Sequence, residues 1–192
     1  MNLPETELIK RCKDGDRNAF NELFAMYENK VINIAYGMLS DREDAYDAAQ
    51  EVFIKVYKNI ASFKENSSLS TWIYRITSNT CNDILRKRQR SVGTVSINST
   101  YDEEEKDMEL KDTAPTPAEL AEMTETQRAV REAISELSDE YREVITLCDI
   151  EDLSYDEISG IINCPVGTVK SRINRARNAL KKKLSEKREL FF

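Results

Sequence analysis

Residues 165–184 read PVGTVKSRINRARNALKKKL, a stretch whose side chains suit hydrogen bonding to a polyanion. Val169, Ile173, Ala176 and Leu180 recur at i, i+4, i+7 and i+11, so one face of a predicted helix is apolar. That spacing leaves Lys170, Ser171, Asn174 and Arg175 on a forward face, with Arg177, Lys181 and Lys182 further along. Arg and Asn are the side chains that bond bidentately to guanine and adenine in the major groove. From Lys170 to Arg188, nine basic residues stand against Glu186 alone, a local charge of +8. A basic stripe of this density points to nucleic acid. Upstream, Ser154 and Glu157 form a predicted capping box, and Leu153 and Ile158 a hydrophobic staple. Asn163 ends that short helix in a left-handed conformation, and Pro165 restarts the chain into the basic one. A short capped helix, a tight turn and a longer basic helix make a helix-turn-helix over about 154–174. Gly167 lets the backbone at the second helix's start approach a phosphate.

A second polar constellation precedes it. Trp72, Ile73, Ile76 and Ile84 can pack inward, while Arg75, Ser78, Asn79, Asn82 and Asp83 form a polar patch before Arg86-Lys87-Arg88-Gln89-Arg90. Aromatic, amide and basic groups beside a Ser-rich loop suit unstacked single-stranded bases as well as duplex phosphates, although a lone Trp is more often core. Covalent chemistry is poorly served. The absence of histidine removes the commonest general base and metal ligand. Cys12, Cys81, Cys148 and Cys164 lack C-x-x-C spacing and read as small buried thiols. Neither G-x-x-x-x-G-K-[ST] nor G-x-G-x-x-G occurs. Asp102-Glu-Glu-Glu105 could suggest a Mg²⁺-dependent nuclease, but it lies in a segment that cannot hold ligands in place. No cofactor, metal or small-molecule substrate is expected.

The elements that position these groups are helical. With only 5 Gly and 4 Pro in 192 residues, the chain lacks the turns of an all-β fold. Residues 17–39 carry one apolar stripe, and Ser40-Asp-Arg-Glu43 predicts a capping box opening the next helix. That helix has Ala45, Ala48, Ala49, Val52, Phe53, Val56, Tyr57 and Ile60 inside, and Asp44, Asp47, Gln50, Glu51, Lys55 and Lys58 outside. A third long helix follows the loop SFKENSSLS, and further helices are predicted near 118–137, 139–150, 154–163 and 165–187. The net charge of −7 is uneven: residues 1–90 carry +1, residues 91–126 carry −8 and residues 127–192 carry none. The middle segment has no helical period and reads as a self-repelling linker. The expected fold is all-α: two small helical domains (1–90 and 118–192) joined by a flexible acidic linker over 91–117. No run reaches the ~18 uncharged apolar residues of a membrane span, and MNLPETELIK has no signal-peptide pattern, so a cytoplasmic chain is expected.

Three stretches together resemble the extracytoplasmic-function group of the sigma-70 family of bacterial transcription initiation factors. They are DREDAYDAAQEVF (41–53), SLSTWIYRITSN with DILRKRQR (68–79 and 83–90), and the run from LSDEYREV through CPVGTVKSRINRARNAL (137–180). The resemblance implies a factor that directs core RNA polymerase to promoters. Domain 1–90 would bind the clamp helices of the polymerase's largest subunit through Asp44, Asp47, Gln50, Glu51 and Phe53. It would melt and hold the −10 element through Ser68, Trp72, Arg75, Asn79, Asp83, Arg86, Lys87 and Arg90. The helix-turn-helix would read the −35 element through Gly167, Thr168, Lys170, Ser171, Arg172, Asn174, Arg175, Arg177 and Lys181. The acidic linker would thread polymerase's basic channels, and a dedicated anti-sigma factor, often membrane-anchored, would hold the protein inactive. The alternative is a homodimeric helix-turn-helix regulator acting without polymerase; it lacks a dimer helix and leaves the first domain without a task.

Overall fold

The computed structural model describes residues 5–91 and 125–190, and every regular element among them is helical. The acidic linker, the Asp102–Glu105 cluster and the expected helix start near 118 lie outside the described residues.

The first lobe comprises α1 (Glu5–Lys13), α2 (Arg17–Leu39), α3 (Arg42–Asn59) with a short 3₁₀ turn at Ile60–Ser62, and α4 (Leu69–Ser91). Asp16 starts α2 by accepting from the Asn18 and Ala19 amides at 2.8 and 3.2 Å, and its other oxygen binds Arg11. The stripe along α2 (Phe20, Leu23, Val31, Ile34, Ala35 and Met38) is buried against the small-residue face of α3. Ser40 differs from the sequence expectation. It occupies the left-handed region (φ 57°) and terminates α2. Asp41 takes the capping role instead and accepts from the Asp44 amide at 3.0 Å. Both residue types cap well; the end of α2 claims Ser40, which shifts the cap by one position. At the head of α4, the Ser68 hydroxyl accepts from the Thr71 amide at 3.1 Å.

The second lobe holds α5 (Glu125–Ser135), α6 (Asp139–Ile145), α7 (Tyr155–Ile162) and α8 (Val166–Leu190). The helix expected over 139–150 widens into a π turn at Thr146–Ile150, where the Glu151 amide reaches back five residues to the Thr146 carbonyl. The Ser154/Glu157 capping box forms in full, and Asn163 is left-handed (φ 51°, ψ 51°) as expected. Pro165 stands just before α8, its carbonyl accepting from Thr168 and Val169.

The lobes share one core. α4 packs on α7, and α2 packs on α6 and the π turn. Arg142, 9% exposed, ties α6 to the ends of two other helices: its guanidinium donates to the carbonyls of Met38 on α2 and of Ser135 and Leu137 at the end of α5. Burial lowers its pKa, but a guanidinium stays charged.

Candidate nucleic-acid and polymerase interfaces

The helix-turn-helix is built by local chemistry. The left-handed Asn163 returns its amide to Ser159, and the Ser159 hydroxyl donates to the Cys164 carbonyl at 2.6 Å, which fixes the three-residue turn. Val169, Ile173 and Ala176 are each at most 1% exposed and seat α8 on the lobe. The packing therefore turns Lys170, Asn174 and Arg175 outward, with Gly167 and Thr168 exposed at the helix's first turn. Ser171 is half-buried and donates to the Thr168 carbonyl. Arg172 is half-buried and sits 3.8 Å from Glu140. Arg177 is held by Asp149 in a two-nitrogen ion pair that raises its pKa, chiefly through the side-chain hydrogen bond. Arg177 is thus aimed back at the π turn, whereas Lys181 is exposed.

The sequence-predicted patch on α4 divides. Asn79, Asp83, Arg86, Lys87 and Arg90 are exposed, with Arg86 paired to Asp83 at 2.9 Å. Arg75, Ser78 and Asn82 instead meet the second lobe. Arg75 donates to the Gly160 carbonyl at 2.9 Å, and Ser78 and Asn82 both donate to Glu143 Oε1. Glu143 is 6% exposed; desolvation raises its pKa against the opposing pull of those two hydrogen bonds. Trp72 is half-buried, its ring centroid 5.2 Å from that of Phe63, and Ser68 is exposed beside Ser70.

On α3, Asp47, Gln50 and Glu51 are exposed on one face together with Ile54, which is 46% exposed and escaped the sequence reading. Asp44 is half-buried and paired with Arg88 of α4. Phe53 requires correction. It is 1% exposed, with its ring centroid 4.2 Å from that of Phe24, so it is core and offers nothing to a partner. Phe53 stands four residues after Ala49 and three before Val56, both fully buried, so helical periodicity places it on the core stripe. Cys12 and Cys81 are buried, Cys148 and Cys164 half-buried, and all four are free thiols. Burial pushes the Cys81 thiol up to about 12, which keeps it protonated and inert.

The described residues thus place an exposed polar face, Asp47, Gln50, Glu51 and Ile54, on α3 of one lobe and an outward basic helix, α8, in a helix-turn-helix on the other. Family models for Sigma-70 region 2 and Sigma-70, region 4 match residues 23–91 and 127–180. The ECF RNA polymerase sigma factor SigW of Bacillus subtilis is 39% identical over 185 residues, covering 93% of this chain and 95% of the relative. The ECF RNA polymerase sigma-E factor of Escherichia coli K12 is 36% identical, covering 95% of both. Among solved structures, CnrH in complex with the cytosolic domain of CnrY superposes with a TM-score of 0.67 at 23% identity, covering 93% of this chain and 96% of that one. The sigma factor RpoE in complex with the anti-sigma factor NepR from Bartonella quintana gives 0.62 at 26% identity, covering 86% and 96%. The chain belongs to the sigma-70 family, in its extracytoplasmic-function group. It is a transcription initiation factor that binds core RNA polymerase and promoter DNA, and it is not an enzyme. No described helix is long and apolar enough to cross a membrane.

Proposed function

We propose that the labour is divided by lobe. α8 enters the major groove of the −35 element, with Lys170, Asn174 and Arg175 at base edges and Lys181 at a phosphate. The carrying observation is the outward set of these side chains above a stripe of Val169, Ile173 and Ala176 that is at most 1% exposed. Residues early in such a helix meet bases and later ones meet the backbone. α4 captures the −10 strand through Trp72, Arg75 and Asn79, and its basic end through Arg86 and Lys87 holds phosphates. Asp47, Gln50 and Glu51, with Ile54 between them, dock on the largest subunit of polymerase. The acidic linker follows the enzyme's basic channels.

Neither domain needs high affinity alone. Polymerase fixes their separation, so the second contact forms at the effective concentration set by the first. Capture of unstacked bases offsets the few kcal/mol that each unstacked step costs. An inhibitor protein completes the scheme, since the RpoE structure at 26% identity was solved with an anti-sigma factor; we infer such a partner here, tethered at the membrane.

The test is −35 selectivity in the holoenzyme. Arg175→Ala should cost about 1–3 kcal/mol and relax preference at one base pair, while Lys181→Ala should weaken all sequences alike. A uniform loss for Arg175→Ala would make it a phosphate contact. Substituting Gln50 and Glu51 together should abolish co-purification with core polymerase while leaving the fold intact.

A further inference from the structure

Asn174 stands on the outward face of α8, and what it can read depends on what holds its amide. A primary amide carries a carbonyl that accepts and an NH₂ that donates, and adenine is read by using both at once, on N6 and N7. The Asn174 carbonyl is already engaged: Asn178, one turn on, donates its side-chain Nδ2 to Asn174 Oδ1 at 2.9 Å. Both residues are exposed, so the pair lies on the surface that α8 presents. An acceptor followed four residues later by a donor is the order that the helix dipole favours, as for Glu before Lys. Two neighbours that could compete for that carbonyl are committed elsewhere. The Ser171 hydroxyl donates to the Thr168 carbonyl, and Arg177 is paired with Asp149.

With its carbonyl held, the Asn174 amide offers DNA only its N–H donors, and towards a base edge it then behaves as a lysine does. It suits guanine, whose O6 and N7 both accept, and less fully thymine, whose O4 accepts beside a methyl group. Cytosine shows a donor there and is disfavoured. Adenine can take one bond on N7, but its N6 donor then faces no acceptor. Giving adenine both bonds takes the carbonyl away from Asn178. The pair lines a notch with Tyr155 of α7 and Lys170. Duplex DNA seated on α8 roofs that notch and keeps water from replacing the lost bond.

We propose that Asn178 is a positioning residue for base selection: it fixes the Asn174 amide as a donor, so that the base opposite Asn174 is chosen as guanine in preference to adenine. Asn178 acts through Asn174 and needs no contact with DNA. The proposal rests on the reading of α8 as the −35 helix and deepens it by assigning the base chosen at one position. It reverses what the residue type alone suggests, since an asparagine with both amide groups free is an adenine reader.

The test is a promoter selection with the holoenzyme, core polymerase plus the full chain, on a library randomised across the upstream element. Asn174→Ala first locates the base pair, as the position at which it flattens preference. There the wild type should favour guanine over adenine. Asn178→Ala frees the carbonyl and should raise adenine relative to guanine about threefold, the worth of one hydrogen bond. Asn178→Asp accepts from the Asn174 NH₂ and turns the carbonyl to the DNA. Cytosine and adenine, which show donors, should then gain about tenfold over guanine. The added negative charge weakens all sequences alike and cancels in that ratio. Position 178 is exposed, so both variants should keep the helix content of the wild type by circular dichroism. A wild-type preference for adenine at that pair would overturn the proposal and leave the −35 reading standing. So would Asn178 variants that lower total output without moving the ratio, which is what a merely structural role produces. If Asn174→Ala alters preference at no position, the base-reading role of Asn174 fails and the proposal falls with it.

Discussion

Arg142 is a side chain whose loss should be felt across both lobes. Its guanidinium donates to three carbonyls, those of Met38, Ser135 and Leu137, at 2.8, 2.9 and 2.9 Å. Hydrogen bonds from a charged donor contribute roughly 1.5–3 kcal/mol each. A sum over three would overshoot, because Arg142→Met also releases the desolvation penalty of a buried cation, several kcal/mol in itself. Water can reach part of the freed helix ends, and the methionine stem refills part of the volume. The net expected loss is about 2–4 kcal/mol. With a urea slope of about 2 kcal/mol per molar, the midpoint should fall by about 1–2 M. Arg142→Lys keeps the charge but lacks the planar fork, so it should fall between the two. Because the Met38 carbonyl lies on the first lobe, the methionine variant should also separate the two lobes' unfolding, read by Trp72 fluorescence against far-UV dichroism. A midpoint shift under about 0.3 M, or a lysine variant as stable as wild type, would refute the claim that the fork bridges the ends of α2 and α5.

Other perturbations probe single links. The Glu143 pKa is raised, chiefly by burial, with Glu140 adding to the rise and Ser78, Asn82 and Arg172 opposing it. Its protonated form therefore suits the closed lobes, and its contribution is fully present below the unfolded-state value and lost as pH rises through the folded one. Glu143→Gln should stabilise the chain at neutral pH and flatten that pH dependence in denaturant titrations; a destabilised glutamine variant would show that the carboxylate itself is required. At the left-handed Asn163, alanine should cost about 1 kcal/mol and glycine little, as measured by thermal melts. Ser154→Ala should cost about 1 kcal/mol through loss of the capping box. Duplex binding by the holoenzyme's −35 contact should weaken steeply with salt, and removing the Lys181 charge should reduce the slope of log K against log salt by about 1.

Much of this architecture is legible in the sequence where local chemistry decides. The α2 stripe, the Ser154–Glu157 box and the Asn163 turn each need only residues a few positions apart, and each forms as read. Where two residues compete for one local role, tertiary structure arbitrates: Ser40 completes α2, so Asp41 caps α3. Spacing puts Phe53 on the inner stripe of α3, four residues after Ala49 and three before Val56, and the structure keeps it there; only the family resemblance places it among the polymerase contacts. The lobe-to-lobe surface was not legible, because Arg75 meets Gly160 and Ser78 meets Glu143 across 85 and 65 residues of chain. One signal was available: Gly37 and Gly160 interrupt helical stripes without a turn to justify them, which marks a close approach by something else. Arg142 carried no comparable mark, since a lone arginine on a short helix reads as solvated.

The central claim is that two lobes read separate promoter elements while mounted on polymerase. Run-off transcription by core enzyme plus this chain, on a library randomised upstream of a fixed start region, tests it most directly. Two short sequence blocks at fixed spacing should emerge, the upstream one altered by Arg175→Ala and the downstream one by Asn79→Ala. A single symmetric block bound equally well without polymerase would contradict it.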